Sequence, residues 1–401
     1  MDVLFRAFKS AYGAYYYFGE AAFDEAQAEM MAWLKGKSSV RVEDFSRALV
    51  EAFDFLRDAH SYVANRQSET DIRYEYYYCL DQHYALDKTG YYKYITGEKW
   101  YVAAFSDARV TMEPSLTAAG ELVYAPVLFC TVSTMKNSTL TLKNAAGETK
   151  TQTLSWKLSV PYGESFRTPE FELLEQQGIA YIAVRNFNHE YEKGELADFV
   201  ASGTAEKDAK AVIFDIRANG GGGDSFGRDW VQNFTGKRPA ITECFAQRYS
   251  PLFAAAWEKR GFPVEEGVEI GTYRANDTLA KQIPNDIPII VLVDDKCGSA
   301  GESMLNFLRG MDNVLVIGSN SAGFQLGGNT MALRLPNSNL PADFGSALQF
   351  AFTAENVDYK GYEPDVWCNP ASALEAALNM LLRYEVAEVS TWSALRCALG
   401  A

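Results

Sequence analysis

The sequence has few histidines, no paired cysteine motif and no long apolar run. Its 401 residues include three histidines, which lie apart at positions 60, 83 and 189, so a metal site is not expected. The six cysteines include no C-x-x-C pair and are scattered unlike those of a compact disulfide scaffold. Free thiols mildly favour a reducing compartment. No run of about 18 apolar residues occurs, so we expect no membrane insertion.

Positive charge is also scarce. Lysine and arginine total 37 against 52 acidic residues, which gives a formal net charge of −15. Such a chain is a poor partner for nucleic acid or an anionic membrane surface, so neither is predicted. The first residues lack a signal-peptide pattern, which favours a cytoplasmic protein unless a leader has been removed. No cofactor is predicted, and the sequence leaves the oligomeric state open.

Composition and periodicity divide the chain into consecutive regions. Residues 1–68 carry apolar residues at helical spacing, and residues 69–165 read as strands, with a hairpin signal at "KNAAGET". Over residues 166–385, apolar runs alternate with loops or helices, which is typical of an α/β domain with a largely parallel sheet. Residues 386–401 are interpreted as a C-terminal tail.

The stretch "DDKCGSAGESMLNFL" places a serine between a strand and a helix. The apolar run "IPIIVLV" precedes it, and Met304, Phe307 and Leu308 follow at helical spacing. Ser299 is therefore predicted at a strand–turn–helix junction, where free N–H groups and the helix dipole favour negative charge. The alternative is a simple helix cap, because serine is a preferred N-cap residue.

Two further glycine-rich loops, "FDIRANGGGGDSFG" and "GSNSAGFQLGG", also follow predicted strands. Loops at the carboxyl ends of parallel strands meet at one edge of a sheet. The N–H groups of Ala300 and Gly221, with Gly220 and Gly222 as alternatives, are therefore candidates for an oxyanion hole. The competing interpretations are a flexible turn and a phosphate cradle, although the G-x-x-x-x-G-K-[ST] pattern is missing.

A serine nucleophile needs a base, and "FLRDAHSYV" supplies the candidate His60. The apolar pattern predicts that His60 ends an amphipathic helix, next to Asp58. The alternative is a stabilising cap, because the dipole at a helix C-terminus favours a cation.

Four motifs together resemble the tail-specific, or C-terminal processing, serine peptidases and their tricorn-core relatives. They are "LRDAH" (56–60), "DIRANGGG" (215–222), "CGSAGE" (297–302) and "DYKGYEPD" (358–365), in the order of that family. The resemblance covers most of the chain. It implies a crotonase-like α/β core over about residues 166–385, after a helical region and a mainly-β region. The latter shows no carboxylate-binding G-L-G-F-like loop, so it is interpreted as a degenerate or replaced PDZ-like module.

The family has a Ser–Lys branch and a tricorn-like Ser–His–acid branch. Phe324 stands at the position of the dyad lysine, and no lysine occurs from residue 297 to residue 359. The resemblance therefore implies the second branch, with Ser299, His60 and Asp358. Asp358 is one methylene shorter than the glutamate of that branch, so Glu355 is the alternative acid.

The sequence thus predicts a serine endopeptidase acting on peptide or unfolded protein substrates. Ser299 attacks the carbonyl, His60 transfers the proton, Asp358 orients the imidazole, and the N–H groups of Gly221 and Ala300 hold the oxyanion. Two alternatives remain open. One is a family member without turnover that binds an apolar ligand or peptide, and the other is an esterase that uses the same serine.

Overall fold

The structure is a computed structural model that describes residues 1–64, 73–164, 170–176, 178–188, 194–239, 244–261, 269–276, 282–350 and 355–385, so the expected tail 386–401 lies outside the described residues. The helices of this part of the chain are α1 (Asp2–Ala11), α2 (Tyr15–Phe18), α3 (Glu20–Leu34), α4 (Val42–Ala52), α5 (Glu195–Ala205), α6 (Asp224–Thr235), α7 (Pro251–Lys259), α8 (Ala300–Arg309) and α9 (Ala373–Arg383). The strands are β1 (Tyr62–Val63), β2 (Tyr74–Tyr78), β3 (Ala85–Asp87), β4 (Gly90–Ile95), β5 (Glu98–Phe105), β6 (Val110–Leu116), β7 (Leu122–Thr131), β8 (Ser138–Asn144), β9 (Thr149–Leu154), β10 (Lys157–Leu158), β11 (Phe171–Gln176), β12 (Ile179–Val184), β13 (Ala211–Asp215), β14 (Cys244–Arg248), β15 (Tyr273–Asn276), β16 (Ile289–Val293), β17 (Val314–Gly318), β18 (Gly327–Arg334), β19 (Pro341–Phe350) and β20 (Val366–Trp367). Among the described helices, none combines the length and the apolarity that a membrane crossing needs.

The chain divides into two compact units, each assembled from separate segments. The histidine unit comprises Met1–Ile72, Ala240–Ala280 and Gly323–Tyr359. The serine unit comprises Arg73–Pro239, Lys281–Ala322 and Lys360–Ala401. The consecutive regions expected from composition therefore do not coincide with the units. The physical reason is strand pairing, which joins segments that are distant in sequence.

The serine unit is built on a ten-stranded mixed sheet with the order β10-β2-β7-β6-β20-β17-β16-β13-β12-β11. Within it, β12, β13, β16, β17 and β20 run parallel, as the alternation of strands and helices predicts. Every residue of β12, β13 and β16 is buried, which is typical of parallel strands covered on both faces. The serine unit therefore has a mixed α/β fold.

Helices cover both faces of this sheet. On one face, α5, α6 and α8 contribute Phe199, Trp230 and Met304 to a buried apolar cluster. On the other face, α9 packs Ala376 and Leu381 against the parallel strands. Because β13, β16 and β17 are neighbours and parallel, the loops that follow them start at one edge of the sheet.

Residues 73–164 form β2 to β10 and one short 3-10 turn, Val132–Thr134. The hairpin predicted at "KNAAGET" is present between the antiparallel strands β8 and β9. Strands β3, β4, β5, β8 and β9 make a separate five-stranded antiparallel sheet, whereas β2, β6, β7 and β10 belong to the large sheet. The mainly-β region is thus continuous with the α/β core, because β6 pairs with β20.

The histidine unit packs helices against an antiparallel sheet with the order β1-β19-β14-β15, in which β18 pairs with β19. Helix α1 buries Leu4, Phe5, Phe8 and Ala11, which share one helical face. The rings of Phe8 and Phe344 are 4.5 Å apart between centroids, inside an aromatic-rich cluster that also involves α3 and α4. The N-terminal helices are therefore stabilised by a strand from much later in the chain.

Candidate active site

Ser299 lies in a sharp turn between β16 and α8, which we call the serine turn (residues 294–300). The residue is the N-cap of α8, so the cap interpretation gives its place correctly. Its backbone, however, has φ 54° and ψ −122°, whereas an ordinary N-cap residue is extended. Such a conformation costs on the order of 1–3 kcal/mol in a non-glycine residue. A strained strand–turn–helix serine is the geometry of a nucleophile elbow.

The buried carboxylate of Glu302 holds the serine turn. Its Oε2 accepts the N–H of Ser299 at 3.1 Å, and its Oε1 accepts the hydroxyl of Ser321 at 2.5 Å. The hydroxyl oxygen of Ser321 in turn accepts the N–H of Tyr362 at 2.8 Å. Glu302 therefore joins the serine turn to the glycine loop that follows β17.

Asn219 joins the serine turn to the glycine loop that follows β13. Its main-chain oxygen accepts the N–H of Gly298 at 2.9 Å, and its Oδ1 accepts the N–H of Gly221 at 3.0 Å. Its Nδ2 donates to the carbonyl of Val184 at 3.0 Å. Asn219 is fully buried. It lies within the motif "DIRANGGG", but no role was predicted for it. The signal available in the sequence was an asparagine directly before four glycines, where one side chain can bond several backbone groups.

Gly221 packs directly against Ser299. A Cβ atom added to Gly221 would lie 2.6 Å from the Cβ of Ser299 and 3.0 Å from the nitrogen of Ala300. Its φ of 105° also favours glycine. The glycine is therefore required here by close approach of two backbones and not only by flexibility.

The candidate oxyanion donors differ in availability. The N–H of Gly221 is donated to Asn219, whereas Gly220 and Gly222 are exposed. Ala300 is the first residue of α8, a position at which the N–H has no acceptor within the helix. The N–H of Ala300 is therefore a better candidate for an oxyanion donor than the N–H of Gly221, which already bonds Asn219.

A buried ion cluster fixes the end of β13, where the glycine loop starts. Asp215 accepts the guanidinium groups of Arg185 at 2.8 Å and Arg217 at 2.6 Å. Burial opposes ionisation, but the charges of Arg217 and Arg185 hold the pKa of Asp215 well below its usual value. The ring of Tyr162 covers both guanidinium groups, each 4.3 Å from the ring centroid. Removing one partner of such a buried pair typically costs about 3–5 kcal/mol, so the cluster stabilises the end of β13.

Asp294 opens the serine turn directly after β16. Its Oδ1 accepts the N–H groups of Ala218 at 2.8 Å and Lys296 at 3.2 Å, and its Oδ2 accepts that of Tyr162 at 2.9 Å. Burial raises the pKa of Asp294 to about 6, although these three donors oppose the shift. The carboxylate of Asp294 thus connects the start of the serine turn to the glycine loop that follows β13.

His60 does not end a helix, which corrects the prediction. Helix α4 ends at Ala52, and His60 lies in a separate turn that we call the histidine loop (residues 58–61). The N–H of His60 is donated to Oδ1 of Asp58 at 2.8 Å, which is an Asx-type turn that competes with helix continuation. The helix-cap interpretation of His60 is therefore wrong.

Asp58 is a buried carboxylate for which no role was predicted. Its Oδ2 accepts the hydroxyl groups of Tyr12 at 2.7 Å and Ser61 at 2.6 Å. A Cβ on Gly327 would lie 2.4 Å from this oxygen, so the strand β18 passes close to it. Asp58 therefore anchors the histidine loop to α1 and β18.

Asp358 holds the same loop from a different part of the sequence. Its Oδ2 accepts the N–H of Ala59 at 2.8 Å, and its Oδ1 accepts the N–H groups of Gln325 and Leu326, both at 2.8 Å. Burial and the charge of Asp58 raise the pKa of Asp358 to about 8, and the three backbone donors oppose this shift. The alternative acid, Glu355, is exposed.

The predicted residues are thus gathered in two groups, one in each unit. The serine unit brings Ser299 and Ala300 together with the glycines at positions 220–222. In the histidine unit, Asp358 accepts the backbone N–H of Ala59, the residue directly before His60.

Residues 178–366 match the family model described as Peptidase family S41. The chain carries a domain of peptidase family S41. It is therefore a serine-type peptidase by family, and a peptidase acts on peptide or protein substrates. The matched segment includes Ser299, the glycine loop and Asp358, and His60 lies outside it. No curated protein matches the chain.

Solved structures resemble the chain over almost its whole length. Mature CPAF has a TM-score of 0.50 at 12% identity, and a serine-to-alanine variant of CPAF has 0.51 at 11% identity, each covering 96% of both chains. The photosystem II D1 C-terminal processing protease has a TM-score of 0.42 at 16% identity and covers 91% of both chains. At these identities the similarity to CPAF establishes the fold and nothing more.

Proposed function

We propose that the chain is a serine endopeptidase with a crotonase-like core and a Ser–His–acid triad of Ser299, His60 and Asp358. Ser299 attacks the scissile carbonyl, and His60 takes its proton and returns it to the leaving amine. Asp358 holds one tautomer of the imidazole and stabilises the positive charge that forms on it. The observation that carries the proposal is the strained backbone of Ser299, because strain of this kind persists at functional sites and an ordinary cap does not need it.

The oxyanion of the tetrahedral intermediate is held by the N–H of Ala300 and a second N–H from the glycine loop. The dipole of α8 adds positive potential at the same place. Because the N–H of Gly221 is donated to Asn219, Gly220 and Gly222 are better second donors than Gly221. Gly221 then has a different role, which is to let the loop approach Ser299 closely.

The assignment of Asp358 as the acid is supported by its hydrogen bond from Ala59, the residue next to His60. Glu355 is exposed and is therefore the weaker candidate. Peptides or unfolded proteins are the proposed substrates, because an extended chain can present its carbonyl to the serine turn.

The direct test combines hydrolysis of casein with labelling by a fluorophosphonate probe. Ser299→Ala should remove labelling and reduce turnover to the small residual rate that binding and the oxyanion hole supply. Ser303→Ala, one turn further along α8, is the matched control and should retain both activities. Casein turnover by Ser299→Ala at the parent rate contradicts the proposal.

Two other outcomes would redirect the assignment. Labelled protein that cleaves aryl esters but no peptide bond is an esterase. A chain that neither reacts with the probe nor cleaves a peptide, but binds an apolar ligand or a peptide, is a binding protein.

A further inference from the structure

We propose that Phe324 is a positioning residue that fixes the orientation of the His60 imidazole; the proposal rests on the proposed function, in which His60 is the base. The two ring centroids are 5.7 Å apart and the ring planes meet at 86°, an edge-to-face contact. Aromatic pairs favour this arrangement, in which the positive edge of one ring meets the negative face of the other.

An imidazole needs such a contact because its terminal torsion is soft. The χ2 angle of histidine has broad, roughly two-fold minima, so a backbone anchor does not determine the ring plane. The N–H of His60 bonds Asp58, which fixes the main chain of the histidine loop. Contact with Phe324 then restricts the ring itself.

A single carboxylate fixes the backbone on both sides of this ring pair. Asp358 accepts the N–H of Ala59, directly before His60, with one oxygen. With its other oxygen it accepts the N–H groups of Gln325 and Leu326, directly after Phe324. The two rings are therefore attached to one anchor, so their relative position is independent of the longer segments between them.

The backbone before Phe324 is also fixed. The carbonyl of Gly323 accepts the N–H of Tyr359 at 3.0 Å, next to the Asp358 anchor. Gly323 has a φ of 72°, a conformation that favours glycine and turns the chain into Phe324. Hydrogen bonds thus fix the backbone both before and after Phe324, and this restricts the direction in which its ring leaves the main chain.

Phe324 is not explained as a core residue. It is half-buried, and it belongs to none of the apolar clusters found in the described residues, whereas Phe8, Phe53 and Phe344 of the same unit do. A ring that contributes to no core but meets the proposed base is better explained by orientation than by stability.

The experiment compares Phe324→Leu, Phe324→Tyr and a control in the same unit. The control is Phe350→Leu, because Phe350 is also half-buried and makes an edge-to-face contact, with Tyr17 at 5.3 Å. We expect Phe324→Leu to lower kcat by about 10-fold or more at unchanged KM, since small misplacement of a catalytic group is costly. Phe324→Tyr keeps the ring and should restore kcat, and Phe350→Leu should retain it.

A second readout does not depend on turnover. The chain has three histidines, so the His60 ring protons can be assigned by single substitution in ¹H–¹³C spectra. Phe324→Leu should shift the His60 ring signals and leave those of His83 in place, whereas Phe350→Leu should shift neither. Unchanged His60 signals together with unchanged kcat in Phe324→Leu would overturn the proposal.

The two proposals fail separately. Equal loss of thermal stability and of kcat in both Phe324 variants would mean a structural role and reject the orientation role, with the triad intact. Full turnover in His60→Ala would reject His60 as the base, and the ring-proton shifts would still report whether Phe324 orients the imidazole.

Discussion

The serine turn and the histidine loop are held by different kinds of interaction. The serine turn is tied by bonds between loops that follow neighbouring parallel strands, with Asn219 and Glu302 as its connectors. The histidine loop is held by two carboxylates, Asp58 and Asp358. One of these comes 299 residues after the Ala59 that it binds.

The two sides also differ in how they respond to pH. The serine turn depends on the buried carboxyls of Glu302 and Asp294, and burial raises the pKa of Asp294 to about 6. Burial and the charge of Asp58 raise the pKa of Asp358, in the anchor of the histidine loop, to about 8. As the pH rises, the carboxyl of Asp294 in the serine turn should therefore ionise before the one that holds the histidine loop.

The largest effect is expected on removal of the proposed base. His60→Ala should lower kcat by on the order of 10⁴ or more, by analogy with a worked serine-protease triad. In the parent, kcat should rise with pH as the proposed base loses its proton, because only the neutral imidazole can accept the proton of the serine. His83→Ala, an exposed histidine in the mainly-β region, is the control and should leave the pH–rate profile unchanged.

The next effect concerns the acid. Asp358→Asn should lower kcat by on the order of 10², because an amide favours the wrong tautomer of the imidazole. It also replaces an acceptor by a donor, so at least one of the N–H groups of Ala59, Gln325 and Leu326 loses a partner. Glu355→Gln is the matched exposed control and should be mild. A mild Asp358→Asn beside a severe Glu355→Gln would transfer the role to Glu355.

The same carboxyl predicts how stability depends on pH. The folded chain raises the pKa of Asp358 to about 8, so it binds this proton more tightly than the unfolded chain, where aspartate titrates near about 3.9. Its contribution to the free energy of unfolding is therefore present below about pH 4 and is lost as the pH rises through about 8. Denaturant unfolding between these limits should show this fall in the parent and a flatter dependence in Asp358→Asn.

A smaller effect is expected on the serine side. In Gly221→Ala the new Cβ would lie 2.6 Å from the Cβ of Ser299, so the turn must shift, and kcat should fall by about 10-fold or more. Gly236→Ala is the control, because Gly236 also has positive φ but a Cβ there meets no atom within 4 Å. Equal loss of kcat in both variants would mean that backbone strain, and not approach to Ser299, is responsible.

The serine side could be predicted from the sequence because its parts are local. A buried apolar run predicts β16, the spacing of Met304, Phe307 and Leu308 predicts α8, and Ser299 lies between them. The neighbouring glycine loops follow from the same strand–loop pattern. The positive φ of Ser299 could not be predicted, because serine at an ordinary N-cap has extended backbone.

The histidine side was predicted less well. The apolar spacing predicted a helix as far as His60, whereas α4 ends at Ala52 and Asp58 bonds the backbone of a separate loop. The role of Tyr12 as a donor to Asp58 had no signal, because the two residues are joined only by folding. The two compact units were not predicted either, since β19 pairs with β1 and β14 across long stretches of sequence.

The segmented build of the histidine unit affects when activity can begin during synthesis. Domains fold as units while the ribosome delivers the chain from its N-terminus, and contacts between distant segments form late. The aromatic faces of α1 and α3 remain uncovered until β19 has emerged, and the histidine loop lacks one anchor until Asp358 has followed. Because the serine unit also needs its last segment, Lys360–Ala401, neither half of the proposed site is complete before the end of synthesis, so proteolysis beside the ribosome should be delayed until nearly the whole protein has been made.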